Sequence, residues 1–312
     1  MATNVNMKRR ADQLPMLPNN FFWTYRKRPA DIKLFNEIRE RYDLTPGGTI
    51  LTTKGYKIET GEGMPIVYLG LAPSDMSGFN VCKNATKYCK PPVCVGISSG
   101  FGQFPTQQKN KIARTVLLFE NFPAFMRMLL SELAQFRAKV LRDNPGNPVF
   151  AVRLNAYSDL NWSPVMDLIR QATGHERESV FREESHAVFY DFTKIKDRVA
   201  GHRSDCGEGD CINNETQSCL SCASLETYYA YSGRSVRLDP IDSLIPILKR
   251  GHNVAVVVDQ LPLGDTWHGF PWCDGTENDR YVFSRRGHWI LLSAKGELKN
   301  RKDSPFIYRV AN

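Results

Sequence analysis

The chain is 312 residues long, with 42% hydrophobic and 24% charged residues, a balance that excludes disordered and collagen-like chains and suits one large domain or two ordinary ones. No apolar run approaches the roughly 20 residues of a membrane span, and MATNVNMKRRADQ is basic with no apolar stretch behind it, so neither a membrane helix nor a secretory signal is expected. The net charge is +8, from 41 Lys and Arg against 33 Asp and Glu, and there are 8 Cys. In a reducing cytosol, the compartment expected here, clustered cysteines point to metal binding or catalysis rather than to disulfides.

Residues 1–33 carry seven Lys and Arg against Asp12 and Asp31, a net +5 of the total. In this basic arm Phe21, Phe22, Trp23 and Tyr25 stand beside Arg26, Lys27 and Arg28, a mixture able to hold phosphates and stack bases. The plainer reading is a tail whose aromatic residues dock on the body. Apolar spacing predicts a short helix over Ala30 to Tyr42, stopped by Pro46-Gly47-Gly48, then strands over Thr49 to Thr53 and Pro65 to Leu71. A Gly/Ser-rich stretch over residues 96–102 precedes two helices, Thr106 to about Asn121 and Pro123 to about Arg142. Val149 to Leu154 reads as a buried strand, Val165 to Ala172 as a helix capped by Ser163, and Ala187 to Phe192 as another strand followed by a short helix from Ile195. A helix over Pro240 to Arg250 and strands over Asn253 to Val258 and Trp289 to Ser293 complete the series.

Strands alternating with helices predict an α/β fold with a parallel sheet, read here as a partial (β/α) barrel. Residues 1–48 form the arm and first helix, and residues 49–312 one α/β domain that includes a Cys-rich, metal-binding insertion over 202–223. In such folds ligands sit beyond the carboxyl ends of the strands, which is where the chemistry-bearing residues fall. Cys82, Cys89 and Cys94, spaced C-x6-C-x4-C, lie in the loop after the Pro65 to Leu71 strand. Three thiolates leave one position of a tetrahedral zinc ion, or of a [4Fe-4S] cluster, open to a small molecule, and the spacing admits either. Cys206, Cys211, Cys219 and Cys222 supply four thiolates within seventeen residues, enough for a closed zinc site that would stabilise the loop; an auxiliary iron-sulfur cluster is the competing reading, and His202 a spare ligand. Arg153, Asn155, Ser158 and Asp159 end one strand, and Tyr190, Asp191, Thr193 and Lys194 the next. These are candidates to hold a ligand's carboxylate or hydroxyls, with Asp159, Asp191 and Lys194 the candidates for catalysis; as single residues Ser158 and Thr193 are equally good caps or turn formers. In the segment Trp267 to Gly275, His268 is a candidate proton donor, and Asp274-Gly275 a plain turn. No G-x-G-x-x-G, Walker or H-E-x-x-H pattern occurs.

The ordered set Cys82-x3-Thr86-x2-Cys89-x4-Cys94, Ala113-Arg114-Thr115, Val152-Arg153-Leu154-Asn155, Ser158-Asp159, Tyr190-Asp191-Phe192-Thr193-Lys194, Trp267-His268-Gly269, Asp274-Gly275, Asp279-Arg280 and Lys295-Gly296 resembles the bacteriophage "gene product 88" family, from about Thr49 onward. The resemblance implies a phage origin and the host cytoplasm as location, and it carries no reaction with it. More distantly, three cysteines after the first strand of a parallel barrel look like radical S-adenosylmethionine enzymes, although the usual spacing there is C-x3-C-x2-C. That likeness implies a [4Fe-4S] cluster and S-adenosylmethionine, with Asn155, Ser158 and Asp159 facing the methionyl end and Tyr190 to Lys194 meeting the ribose or a substrate. The expectation is therefore a phage metalloenzyme with an open-site cluster on Cys82, Cys89 and Cys94 and structural zinc on the second cysteine group, acting on a small-molecule or macromolecular substrate. The rival is a zinc-stabilised, nucleic-acid-binding phage protein that uses the arm.

Overall fold

The computed structural model of the chain describes residues 13–53, 64–146, 149–174, 187–200, 227–301 and 303–310. In chain order the elements are α1 (Pro29–Glu40), β1 (Leu51–Thr52), β2 (Ile66–Leu69), α2 (Val95–Ser98), α3 (Pro105–Glu120), α4 (Phe122–Asp143), β3 (Phe150–Arg153), α5 (Met166–Ala172), β4 (Ala187–Thr193) and α6 (Lys196–Ala200). They continue as β5 (Tyr228–Ser232), α7 (Ile241–Lys249), β6 (Asn253–Val258), β7 (Thr266–Trp267), β8 (Phe270–Asp274), α8 (Tyr281–Ser284), β9 (Trp289–Ser293) and β10 (Ile307–Tyr308). Pro105 opens α3, and α4 starts where the Asn121 side chain accepts from the Ala124 N–H at 3.1 Å.

Among the described residues the strands form one ten-stranded sheet in the order β1-β2-β3-β4-β5-β6-β9-β8-β7, with β10 beside β6. Every pairing from β2 to β8 along that path is parallel; only β1 with β2 and β7 with β8 are antiparallel. The sheet is mixed, largely parallel and not closed. From β2 to β6, neighbours in sequence are neighbours in space, as when each crossover returns to the same face.

The registers set two rows of side chains. Val67, Leu69, Phe150, Val152, Ala187 and Phe189 face one way and pack with residues of α1, α3, α4 and α5 into the main core. Further along the same face Tyr231, Val254, Val256, Trp289 and Leu291 pack with Leu244 and Leu248 of α7. The alternate row, which includes Ile66, Ala151, Tyr190, Ala230, Ala255 and Ile290, turns away from these helices and gathers with Val282 of α8. Among the described residues no helix is long and apolar enough to cross a membrane.

The part of the arm that is described lies along the body. Leu14, Leu17, Phe21 and Trp23 pack against the main core, whereas Phe22 and Tyr25 are 69% and 61% exposed. Three polar contacts hold it there. Lys27 pairs with the buried Glu132 of α4, whose carboxylate also accepts from the N–H groups of Ile50 (3.1 Å) and Leu51 (2.8 Å). Arg127 makes a two-pronged bond to Asp31 of α1 (2.9 and 2.6 Å), and Ser131 donates to the Thr24 carbonyl. Glu132 thus joins the arm, the β1 edge and α4. Replacing it with Ala strands the Lys27 ammonium and two buried N–H groups, and is expected to cost about 3 kcal/mol of stability in denaturant unfolding.

Candidate functional site

The carboxyl ends of the parallel strands open on a cavity of about 490 Å3. Its floor is the row of side chains turned away from the main helices, among them Ile66, Tyr68, Arg153, Tyr190, Phe192 and Leu292. One wall is the loop after β2, where Cys82, Cys89 and Cys94 all line the same space.

That loop is tied at several points. The Val81 N–H reaches back to the Ser74 carbonyl at 3.0 Å, the Cys82 N–H donates to the Asn80 side chain at 2.9 Å, and Cys94 immediately precedes α2. Two contacts reach distant strands: Asp159 N–H to the Val81 carbonyl (2.8 Å) and the Thr86 hydroxyl to the Arg234 carbonyl (3.2 Å). The Cys82 thiol donates to the Tyr157 carbonyl at 3.4 Å. Burial pushes the Cys82 thiol up to about 12, with further contributions from Cys89, Cys94 and Asp159, and pushes Cys94 up to about 11, with Cys89 adding to it. Burial thus keeps Cys82 and Cys94 as thiols near neutral pH. Among the described residues no group of three or more His, Cys, Asp or Glu side chains is placed so that it could hold a metal ion, Cys82, Cys89 and Cys94 included. Cys206, Cys211, Cys219, Cys222 and His202 lie outside the described residues.

The polar residues at the strand ends divide into two kinds. Asn155, Ser158 and Asp159 line the cavity, yet their hydrogen bonds go to the protein itself. Asn155 Oδ1 accepts from the Ser158 hydroxyl (2.8 Å), the Leu160 N–H (3.0 Å) and Trp162 Nε1 (3.1 Å), while its amide donates to the Leu160 carbonyl and Asp191. Asp159 accepts from the Thr193 hydroxyl (2.8 Å), Arg198 Nη1 (2.7 Å) and the Lys194 N–H (3.0 Å). The turn-forming role of these side chains is thus the one their contacts display.

Arg153, Tyr190 and Lys194 present side chains to the cavity. Arg153 pairs with Asp279 at 3.1 Å and lies 4.8 Å over the Phe192 ring, and its Nε is 3.6 Å from Asp191, an ion-pair distance too long for a hydrogen bond. Asp191 and Thr193 belong to the other row of β4, facing the helices, and neither lines the cavity. His268 lies away from it too. It is exposed at φ 48° in the two-residue turn joining β7 to β8, followed by Gly269 at φ 78°, a pair of left-handed residues suited to a tight hairpin. Its ring meets Trp267 edge-on at 4.7 Å.

Tyr68, Tyr157 and Asp279 line the cavity as well. For Tyr68 a signal existed, a lone hydroxyl in the strand Ile66-Val67-Tyr68-Leu69. Behind Cys94 sits Lys111 of α3, buried, donating to the Gly96 carbonyl and lying 4.2 Å over the Tyr157 ring; burial pushes its amine down to about 8. Nothing in the spacing of α3 distinguishes it from a solvated lysine.

Asp191 is the titratable group with the clearest consequence for stability. Burial pushes its carboxyl up to about 7, against the pull of Arg153 and of the Asn155 hydrogen bonds. The folded chain therefore holds a proton that the unfolded chain releases near its ordinary value of 3.8, and stability declines as pH rises from that value to about 7. Between about pH 4 and pH 8, thermal unfolding is expected to show a smaller loss in Asp191→Asn than in the unaltered protein.

The comparisons with known proteins agree with the motif order. No curated protein and no solved structure matches the chain. The family model described as "Gene product 88" matches residues 43–310, which takes in every described strand and the residues lining the cavity, and the chain belongs to that family.

Proposed function

We propose that the chain is a phage-encoded metalloenzyme of the host cytoplasm, its sheet the wall of a partial barrel, in which Cys82, Cys89 and Cys94 hold an open-site [4Fe-4S] cluster beside a substrate cavity. The observation that carries this reading is that three cysteines, spread over thirteen residues of an irregular loop, all line one cavity at the carboxyl edge of a parallel sheet. Such a cluster, once bound, would supply one-electron chemistry, and radical S-adenosylmethionine chemistry is the form suggested by the place of the three cysteines after a strand of the parallel sheet, not by their spacing. This chain's own contribution is to position and to enclose. Asn155 and Asp159 hold the strand-end turns that face the cysteines, and the rings of Tyr68, Tyr190 and Phe192 keep the space apolar. The Arg153–Asp279 pair places a guanidinium in that apolar surround. In this reading Cys206, Cys211, Cys219 and Cys222 form a separate, closed zinc site.

Anaerobic purification followed by metal and sulfide analysis tests it. About four irons and four sulfides per chain are expected, with the broad visible absorbance of a cluster. Cys82→Ala, Cys89→Ala and Cys94→Ala should each lose them, and Cys273→Ala should not. Zinc alone, with no chromophore, overturns the cluster.

One observation favours a second reading, a zinc-stabilised protein that binds single-stranded nucleic acid. Phe22 and Tyr25 stay exposed beside the exposed Arg26 and Arg28. Because Phe21 and Trp23 are packed against the core, removing the arm would damage the fold, and the informative change is local. Phe22→Ala with Tyr25→Ala is expected to weaken oligonucleotide binding roughly tenfold, each ring being a stacking platform; unchanged binding in a filter or anisotropy assay removes this reading.

A further inference from the structure

The charges on the cavity wall do not balance. Its two carboxylates among the described residues are both matched, Asp279 by Arg153 at 3.1 Å and Asp159 by Arg198 at 2.7 Å. Among the described residues Lys194 is not matched. It stands at the carboxyl end of β4, half-buried, with Nζ 3.0 Å from the Ser232 hydroxyl and 5.3 Å from the centre of the Phe306 ring, and among the described residues it forms no ion pair. A half-buried ammonium whose protein contacts are one hydroxyl and a ring face keeps capacity for an anion, which would complete it. Lys111 adds to the same field from behind Cys94, since its amine donates to a backbone carbonyl and, among the described residues, meets no carboxylate.

The rest of the space is lined in large part by aromatic rings. Tyr190 and Phe192 rise from β4 on the side of Lys194, Phe306 closes over the amine, and Tyr68 lies across the floor. A volume of about 490 Å3 is within the usual range for small-molecule sites.

We propose that the cavity takes a small molecule with a flat, aromatic body and a single carboxylate or phosphate group, the anion seated on the Lys194 ammonium and the body among the rings of Tyr190, Phe192 and Phe306. This assignment goes beyond the metal reading and does not depend on it, because it needs only the cavity and its unmatched charge.

Calorimetric titration of the full chain with benzoate, phenyl phosphate and neutral benzyl alcohol tests it. At least one of the anions is expected to bind roughly tenfold or more tightly than benzyl alcohol, with Lys194→Met removing that advantage, Lys194→Arg retaining it, and benzyl alcohol unaffected throughout. Whichever of benzoate and phenyl phosphate binds more tightly identifies the anion. Equal binding of charged and neutral probes, no binding of any probe, or anion binding undiminished in Lys194→Met overturns the proposal. Iron content measured on the same samples keeps the two readings apart. Loss of iron in Lys194→Met with anion binding unchanged would make the amine a counter-charge to the metal centre and defeat the proposal, whereas absence of iron throughout leaves the anion result standing by itself.

Discussion

Asp159 is the junction on which the geometry of this cavity depends. Its backbone N–H is bonded to the carbonyl of Val81, the residue before Cys82, and its carboxylate gathers the Thr193 hydroxyl, the Lys194 N–H and the Arg198 guanidinium. One residue after β3 therefore holds the cysteine loop through its backbone and the exit of β4 through its side chain. The carboxylate is buried and charge-matched, so the three segments are fixed relative to one another by bonds that water does not readily replace.

A second constraint acts at the level of the whole sheet. Helices cover one face, so the row of side chains pointing at them is largely apolar and tightly packed from β2 to β9, with Asp191 and Thr193 at the end of β4 as polar exceptions. The opposite row is released from that demand. It can carry a guanidinium at position 153, a hydroxyl at 68 and another at 190 without breaking the main core. The site is possible because the core was completed on the other side.

The sequence made the longer helices and most of the parallel strands readable, because each has either the helical period or a short apolar run bounded by turn residues; the four-residue helices α2 and α8 are too short to show a period. β5 escaped, since Tyr-Tyr-Ala-Tyr-Ser is aromatic and polar rather than aliphatic and follows directly on the second cysteine group. The β7–β8 hairpin escaped for another reason: a stretch dense in Trp, His and Asp reads as a binding segment before it reads as a turn with two left-handed residues. The site was legible as a location, the ends of the strands, but not in its phase. Along β4, alternation guarantees that Tyr190 and Phe192 face opposite to Asp191 and Thr193. Which pair meets the helices and which the cavity is decided by the packing of distant helices, and that is absent from the local pattern. Lys111 was invisible for a related reason: one lysine in an amphipathic helix is ordinary until a tertiary contact buries it.

The two ends of the sheet bear on how this chain meets its neighbours. β1 and β7, the outermost strands among the described residues, are two residues long and run against the direction of the strands they pair with. Either rim exposes only a brief row of amide and carbonyl groups, too short to template a long intermolecular ladder. An open sheet of this width would ordinarily be a hazard in a crowded, freshly translated cell extract. Blunt, reversed margins let the wall remain unclosed around its cavity without inviting self-assembly into fibres.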